Sequence, residues 1–143
     1  MLDRPSRIVV VEDEPSDITF LRKAFERGRF EHGVVDVPNG FDLFAHLVEA
    51  KAAGELPDLI LLDLNLPGQS GLDILQELRS GEVFANAVVI VLTSSSYRQE
   101  VAAAYTAGAN AYVTKPARLA DLDDFVCQLE DFWLTTAYRP NDS

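Results

Sequence analysis

Polar residues that could do chemistry together follow the short nonpolar runs of this sequence. Glu12 and Asp13 follow the first run, Asp63 the third, Thr93 the fourth and Lys115 the fifth. Crowded carboxylates raise one another's pKa unless a cation lies among them, and Mg²⁺ prefers such oxygen ligands. A carboxylate beside Mg²⁺ and a lysine can attack phosphorus, while a hydroxyl donates a hydrogen bond to a phosphoryl oxygen. The pattern predicts an acyl-phosphate site with Asp63 as the nucleophile.

The elements that must position these residues are strands alternating with helices. The nonpolar runs alternate with segments of helical periodicity, which is typical of βα units on a parallel sheet. We predict five strands, at residues 8–11, 34–37, 59–62, 88–92 and 111–113. Because the carboxyl ends of parallel strands share one edge of the sheet, the polar residues that follow them would meet there.

Local signals mark the helix boundaries. Pro15 indicates the start of the first helix, and Ser70 and Ser96 stand at capping-box spacings before the third and fourth. Gly108 indicates a helix end. Residues 51–57 are predicted to form a long loop. Together these signals predict an α/β fold.

Length and composition limit the classes of protein that fit. The 143 residues predict a single domain, and the formal net charge of −11 repels nucleic acid and anionic membranes. Cys127 is the one cysteine and has no predicted redox task, there is no signal-peptide pattern, and no nonpolar run is long enough to span a membrane. We therefore expect a soluble protein of the reducing cytoplasm. Residues 139–143 are predicted to form a polar tail.

The chain resembles the receiver domain of two-component response regulators over about residues 6–135. The matching residues are Glu12, Asp13, Asp63 within Asp63-Leu64-Asn65-Leu66-Pro67, Gly71, Thr93 and the Lys115-Pro116 pair. Thr93 follows Asp63 by 30 residues and Lys115 follows Thr93 by 22, which are separations typical of such receivers. The resemblance implies one receiver domain over residues 1–143.

The resemblance also implies a fold, a cofactor and partners. The fold would be a five-stranded parallel sheet, doubly wound with five helices, of the flavodoxin-like or CheY-like type. Mg²⁺ would be bound by Glu12, Asp13, Asp63 and the backbone carbonyl of Asn65. Tyr112 would be the aromatic switch residue. A sensor histidine kinase or a phosphotransfer protein would supply the phosphoryl group, and a downstream protein would read the change in surface shape.

A narrower resemblance is to the stand-alone response regulators of bacterial phytochromes. It depends on the loop at residues 50–57, the run at residues 57–67 and the ending at residues 132–137. This resemblance implies that the sensor kinase is a bacteriophytochrome and that the protein forms a homodimer.

The last predicted helix carries a candidate dimer patch. Its core stripe is predicted to consist of Leu119, Leu122, Val126, Leu129 and Trp133. Phe125 and Phe132 lie about 100° to one side of that stripe. They either widen the buried face or form an exposed patch for a second copy, and we predict the exposed patch.

Other functions fit the residues less well. A phosphohydrolase acting through an aspartyl phosphate would also use Asp, Thr, Lys and Mg²⁺, but such enzymes usually have a second acid where this chain has Asn65. A nucleotide-binding scaffold would need a glycine-rich turn after the first strand, and a degenerate interaction module would not keep the full acceptor set. His32 and His46 lack ligand spacing and are predicted to be surface residues.

Overall fold

The computed structural model describes residues 4–140. Its strands are β1 (Ser6–Val11), β2 (His32–Val37), β3 (Leu59–Leu62), β4 (Val89–Thr93) and β5 (Ala111–Thr114). Its helices are α1 (Pro15–Glu26), α2 (Gly40–Ala53), α3 (Gly71–Ser80), α4 (Arg98–Ala107) and α5 (Leu119–Asp131), and a short π-helix, Phe132–Thr136, follows α5. Residues 1–3 of the predicted domain and residues 141–143 of the predicted polar tail lie outside the described chain.

The five strands form one parallel sheet in the order β2-β1-β3-β4-β5. Strands β3 and β4 are buried along their whole length, since helices cover both faces of the sheet. One core cluster contains Leu43, Ile74 and Val91, and the other contains Phe25, Ile90 and Val126. The predicted doubly wound α/β fold is confirmed.

The register of the paired strands brings the carboxyl ends of β1, β3 and β4 together. Val11 of β1 is paired with Leu62 of β3, so the next residues, Glu12 and Asp63, leave the sheet side by side. Thr93 ends β4 beside β3. The polar residues that follow the strands therefore share one edge of the sheet.

The observed helix boundaries confirm some of the predicted helix starts and ends. Pro15 begins α1, and the Ser70 hydroxyl accepts a hydrogen bond from the Asp73 backbone N–H at 3.2 Å. Gly108 ends α4 with a φ of 109°, a conformation that favours glycine. The prediction for Ser96 is wrong, because α4 begins at Arg98 and no side chain caps it.

The predicted long loop at residues 51–57 is also wrong in its extent. Helix α2 continues through Ala53 and ends at Gly54, which has a φ of 70°. Lys51 therefore lies in the last turn of α2, where a cation interacts favourably with the helix dipole.

The side chain of His32 is buried, so the prediction that His32 is a surface residue is wrong. It pairs with Ser6 in the sheet, and its Nδ1 lies 2.5 Å from the Ser6 hydroxyl oxygen. Its Nε2 lies 2.8 Å from Oε2 of Glu130, a fully buried carboxylate on α5. Burial raises the pKa of Glu130, but hydrogen bonds from His32 and backbone N–H groups hold it below its usual range. His46 is half-buried on α2.

The predicted polar tail begins with a buried residue. Arg139 donates from Nη1 to the Trp133 carbonyl at 2.5 Å, and its Nε lies 3.5 Å from Oδ1 of Asp58. Asp58 also accepts two hydrogen bonds from the Arg4 guanidinium, at 2.9 and 3.0 Å, and one from the Arg7 backbone N–H at 2.8 Å. A buried carboxylate thus binds residues near both ends of the described chain.

Candidate functional site

Asp63 lies directly after β3 and is 6% exposed. Its Oδ1 accepts hydrogen bonds from the Asn65 backbone N–H at 3.0 Å and from the Thr93 hydroxyl at 2.9 Å. Its Oδ2 accepts from Lys115 Nζ at 2.9 Å. Burial raises the pKa of this carboxyl, but the Asn65 N–H and the Lys115 ammonium outweigh burial and hold the pKa below its usual range. Asp63 is therefore ionised at neutral pH.

Backbone packing fixes where Asp63 sits. Its N–H donates to the Val11 carbonyl on β1 at 3.1 Å. Gly71, the first residue of α3, lies so close that a Cβ there would collide with the Asp63 carbonyl oxygen. A larger residue at position 71 would therefore push α3 away from Asp63.

Lys115 joins three carboxylates at the sheet edge. Its Nζ lies 2.6 Å from Glu12, 2.8 Å from Asp17 and 2.9 Å from Asp63. Burial lowers the pKa of the ammonium, but hydrogen bonds to the carboxylates outweigh burial and raise the pKa above its usual range. The backbone N–H of Lys115 also donates to the Thr93 carbonyl at 2.7 Å. Lys115 is therefore charged at neutral pH and held against Asp63.

Asp17 is a site residue that the sequence reasoning missed. It lies in the first turn of α1, where acidic residues also serve the helix dipole, so its type alone does not indicate a site. Its position shortly after the acidic pair, on the helix that starts at Pro15, was the available signal. The contact with Lys115 spans 98 residues of sequence.

Hydrogen bonds from the turn that follows Glu12 fix the position of its carboxylate. Its Oε1 accepts hydrogen bonds from the backbone N–H groups of Asp13 and Glu14, both at 3.1 Å. Burial, and then the neighbouring Asp63 carboxylate, raise the pKa of Glu12, although Lys115 opposes this. Asp13 itself is exposed.

The side chains at this edge of the sheet offer several oxygen ligands for a cation. Within residues 4–140, no three His, Cys, Asp or Glu side chains are already grouped to hold a metal ion. Mg²⁺ does not need such a group, since it binds through one or two carboxylates and keeps several waters. Glu12, Asp13, Asp17 and Asp63 together carry four negative charges against the single charge of Lys115. This excess of hard oxygen ligands fits a divalent cation.

Tyr112 and a cavity lie beside the acidic cluster. The Tyr112 hydroxyl donates to the carbonyl of Ser95, two residues after Thr93, at 2.9 Å, and burial raises the pKa of Tyr112.

A cavity of about 760 Å³ opens between α1 and α5 and is lined by Asp63, Lys115 and the half-exposed Phe20 and Leu119, among others. The largely buried Asp63 therefore lines a cavity at this edge of the sheet.

The family follows from the sequence match. Residues 8–126 match the model of the response regulator receiver domain. The chain belongs to the response-regulator receiver family. This confirms the predicted function, a phosphoacceptor regulator of two-component signalling, and does not favour the phosphohydrolase alternative.

The receiver is similar to several response regulators over nearly its whole length. It is 33% identical over 141 residues to Response regulator Rcp1 of Synechocystis sp., covering 95% of this chain and 94% of Rcp1. The phosphorylated cyanobacterial phytochrome response regulator RcpA superposes with a TM-score of 0.86 at 36% identity, covering 96% and 99% of the two chains. RPA3017, from red light signalling of R. palustris, superposes with a TM-score of 0.87 at 30% identity, covering 94% and 98%.

A metal-bound structure exists among these relatives. The Mn²⁺-bound form of Rcp1 superposes on this receiver with a TM-score of 0.81 at 32% identity, covering 95% of this chain and 99% of the Rcp1 chain. The narrower prediction, a likeness to phytochrome response regulators, is thus confirmed as a likeness.

No helix within residues 4–140 has the length and nonpolar character needed to cross a membrane.

The predicted dimer patch is not one surface. Phe125 is 6% exposed and lies in the core with Leu122, Val126 and Leu129, so the exposed position predicted for it is wrong. Phe132 is 53% exposed and stacks edge-on against Trp133. The chain winds as a π-helix from Phe132, which shifts the side chains after α5 relative to the stripe. Leu119, predicted in the core, is exposed at the start of α5.

Proposed function

We propose that Asp63 accepts the phosphoryl group. The observation that carries this proposal is that the Asp63 carboxylate is held at once by Lys115 on one oxygen and by Thr93 on the other. A carboxylate oxygen forms a bond to phosphorus as the P–N bond of a phosphohistidine donor breaks. The imidazole nitrogen keeps the electron pair and takes up a proton, so the transfer balances.

We propose defined tasks for the residues around Asp63. Lys115 offsets the charge of the transferring phosphoryl group, and Thr93 donates its hydroxyl hydrogen bond to a phosphoryl oxygen. Mg²⁺, when bound by Glu12, Asp13, Asp63 and the Asn65 carbonyl, supplies further positive charge at the same place. Asp17 holds Lys115 from the α1 side.

We propose that phosphorylation acts as a switch through Thr93 and Tyr112. Both Asp63 oxygens already have partners, so a new phosphoryl group must exchange with them and draw Thr93 and Lys115 onto its own oxygens. Thr93 is followed by Ser95, whose carbonyl accepts from Tyr112. Moving the conformers from 1:99 to 99:1 requires about 5.5 kcal/mol, which a few charge-assisted hydrogen bonds can supply.

We propose that the phosphoryl donor is a histidine kinase of the phytochrome type, acting directly or through a phosphotransfer protein. The support is the likeness to RcpA, Rcp1 and RPA3017 over nearly the full length of each. The output would be read by another protein in the cytoplasm, and nucleic acid is disfavoured by the net charge of −11. The whole chain, residues 1–143 with a core at about 6–135, would act as one receiver domain.

We propose a homodimer that uses Phe132 without Phe125. The exposed Phe132 ring and its edge-on neighbour Trp133 offer a nonpolar contact at the end of α5. A twofold axis would bring the same patch of two chains together. Screening over about 8 Å at physiological salt weakens the long-range repulsion between the two acidic chains.

Labelling with acetyl phosphate tests the phosphoacceptor. Wild type incubated with acetyl phosphate and Mg²⁺ should gain one phosphoryl group by intact-mass measurement, and Asp63→Asn should gain none. Asp124→Asn, an exposed aspartate on α5, is the matched control and should label as wild type does. An adduct that persists in Asp63→Asn would show that the acceptor is another residue. Sustained turnover of p-nitrophenyl phosphate would favour the phosphohydrolase instead.

A further inference from the structure

Helix α2 is nonpolar on two opposite faces. Leu43, Leu47 and Ala50 point into the core. On the other side, Phe41 is 83% exposed and Val48 is 61% exposed, with the exposed Ala45 between them. Exposed nonpolar side chains grouped on one face of a helix are typical of a contact surface, so the outer face of α2 is a candidate docking surface.

The outer face of α2 forms one wall of a depression, the α2–α3 groove. The groove has a volume of about 650 Å³ and is lined by Gly40, Phe41, Phe44, Ala45, Val48, Glu49, Gln69 and Glu77. Phe44 forms its floor and packs against Phe84, with ring centroids 6.5 Å apart. Gln69 closes one end and comes from the loop that follows Asp63. The groove is thus built from fixed elements of the fold.

The charges at the groove are of one sign. Its two charged lining residues are Glu49 and Glu77, and both are exposed. In the described part of the chain, Glu77 accepts a hydrogen bond from Gln69 Nε2 at 3.1 Å, and no ion pair neutralises either glutamate. A nonpolar floor with an acidic rim is complementary to a nonpolar ridge bordered by basic residues.

We propose that the α2–α3 groove binds an amphipathic helix of a partner protein, whose nonpolar ridge is flanked by Lys or Arg. The exposed side chains at positions 41, 45 and 48 lie on one face of α2 and extend about 10 Å along it, which is about two turns of a bound helix. Such a contact buries less surface than a standard interface, so the binding is weak and reversible. This surface is separate from Phe132 and does not depend on phosphorylation of Asp63.

Other occupants fit the groove less well. A second copy of this chain placed on a twofold axis would set Glu49 and Glu77 against the same glutamates of its partner, which costs energy through like-charge repulsion. An anionic membrane surface or a nucleic acid would be repelled by the same rim. A basic helix alone gains from both the nonpolar floor and the acidic rim.

A pair of designed peptides tests the proposal with the full-length protein. One peptide of about 18 residues, which is about five helical turns, carries a leucine ridge flanked by lysines. The second has glutamate in place of each lysine. Fluorescence anisotropy should show binding of the lysine peptide and at least about tenfold weaker binding of the glutamate peptide.

Variants locate the binding. Phe41→Asp/Val48→Asp should weaken binding of the lysine peptide at least about tenfold. Glu49→Lys/Glu77→Lys should weaken binding of the lysine peptide by a similar factor and strengthen binding of the glutamate peptide. Tyr138→Ser, a change at an aromatic residue that is 93% exposed elsewhere, should leave the affinity unchanged. Thermal melts confirm that each variant folds, and wild-type labelling at Asp63 is measured separately.

Several results would overturn the proposal. They are a lysine peptide that does not bind wild type at about 1 mM, equal binding of the two peptides, and an unchanged affinity in Phe41→Asp/Val48→Asp. A wild-type dimer that dissociates on Phe41→Asp substitution, measured by sedimentation, would assign the groove to a second copy instead.

Discussion

The Thr93 hydroxyl donates a hydrogen bond of 2.9 Å to Oδ1 of Asp63, joining the ends of two adjacent strands. Thr93 is fully buried, and its oxygen also lies 3.3 Å from Nδ2 of Asn65. The hydroxyl thus already contacts the carboxylate before any phosphoryl group arrives. The proposed switch residue therefore contacts the proposed phosphoacceptor directly.

Replacing Thr93 by valine keeps the shape of the side chain but removes its hydroxyl. We expect Thr93→Val to lower the free energy of unfolding by about 1 to 2 kcal/mol, because Asp63 loses a buried hydrogen bond. Asp63 should still be labelled by acetyl phosphate. Urea denaturation checks the stability, and the exposed Thr114, paired with Thr93 in the sheet, is the control. Equal losses in Thr93→Val and Thr114→Val would contradict this role.

Magnesium should stabilise the folded protein by mass action. At a Mg²⁺ concentration ten times its dissociation constant, the expected gain is about 1.4 kcal/mol, visible as a higher thermal midpoint that EDTA reverses. Asp13→Ala should remove most of this gain. Glu55→Ala, at an exposed position beyond the end of α2, should keep it. A midpoint that does not respond to millimolar Mg²⁺ would count against the site.

Sequence reasoning predicted the sheet and the rim of the site because both depend on local patterns. Nonpolar runs mark the strands, and parallel strands must present Glu12, Asp63 and Thr93 at one edge. Asp17 was missed because its partner, Lys115, lies 98 residues away.

Contacts between distant segments also explain the errors. His32 and Glu130 are 98 residues apart, and only the folded chain places them 2.8 Å from each other. Phe125 was misplaced because the buried face of α5 is wider than the predicted stripe. Arg79 donates to the carbonyls of Ala85, Ala87 and Gly108, none of which a side-chain pattern could reveal.

Asp58 should make stability depend on pH. Burial raises its pKa, but hydrogen bonds from Arg4 and the Arg7 N–H outweigh burial and lower the pKa below its ordinary value of 3.8. A carboxyl whose pKa is lower in the folded state stabilises the fold above that ordinary value. This contribution is lost as the pH falls through the folded-state pKa.

The substitution Asp58→Asn tests this linkage. At pH 7 it should cost about 1.5 to 3 kcal/mol, because the Arg4 and Arg139 guanidiniums lose their charged partner. The difference from wild type should stay constant from neutral pH to about pH 5 and shrink below pH 4. Denaturant titrations at several pH values measure it, with Asp124→Asn as the exposed control. A difference that grows on acidification would contradict the sign.

The two phenylalanines of the C-terminal region should respond differently to truncation. Phe125→Ala should lower the free energy of unfolding by about 3 to 5 kcal/mol, since the side chain is buried in the core. Phe132→Ala, at an exposed ring, should cost less than about 1 kcal/mol. Phe132→Asp should also convert a wild-type dimer to a monomer in sedimentation. A monomeric wild type, or a dimer unchanged by Phe132→Asp, would contradict the proposed dimer contact at Phe132.

The residue that carries the phosphoryl group can be identified by chemical trapping. Borohydride reduces an aspartyl phosphate to homoserine, so peptide mapping of the labelled wild-type protein identifies the acceptor. We expect homoserine at position 63 alone, with Glu12, Asp13 and Asp17 unmodified. Homoserine at position 13 or 17, or a label spread over several carboxylates, would contradict the assignment of Asp63 as the phosphoacceptor.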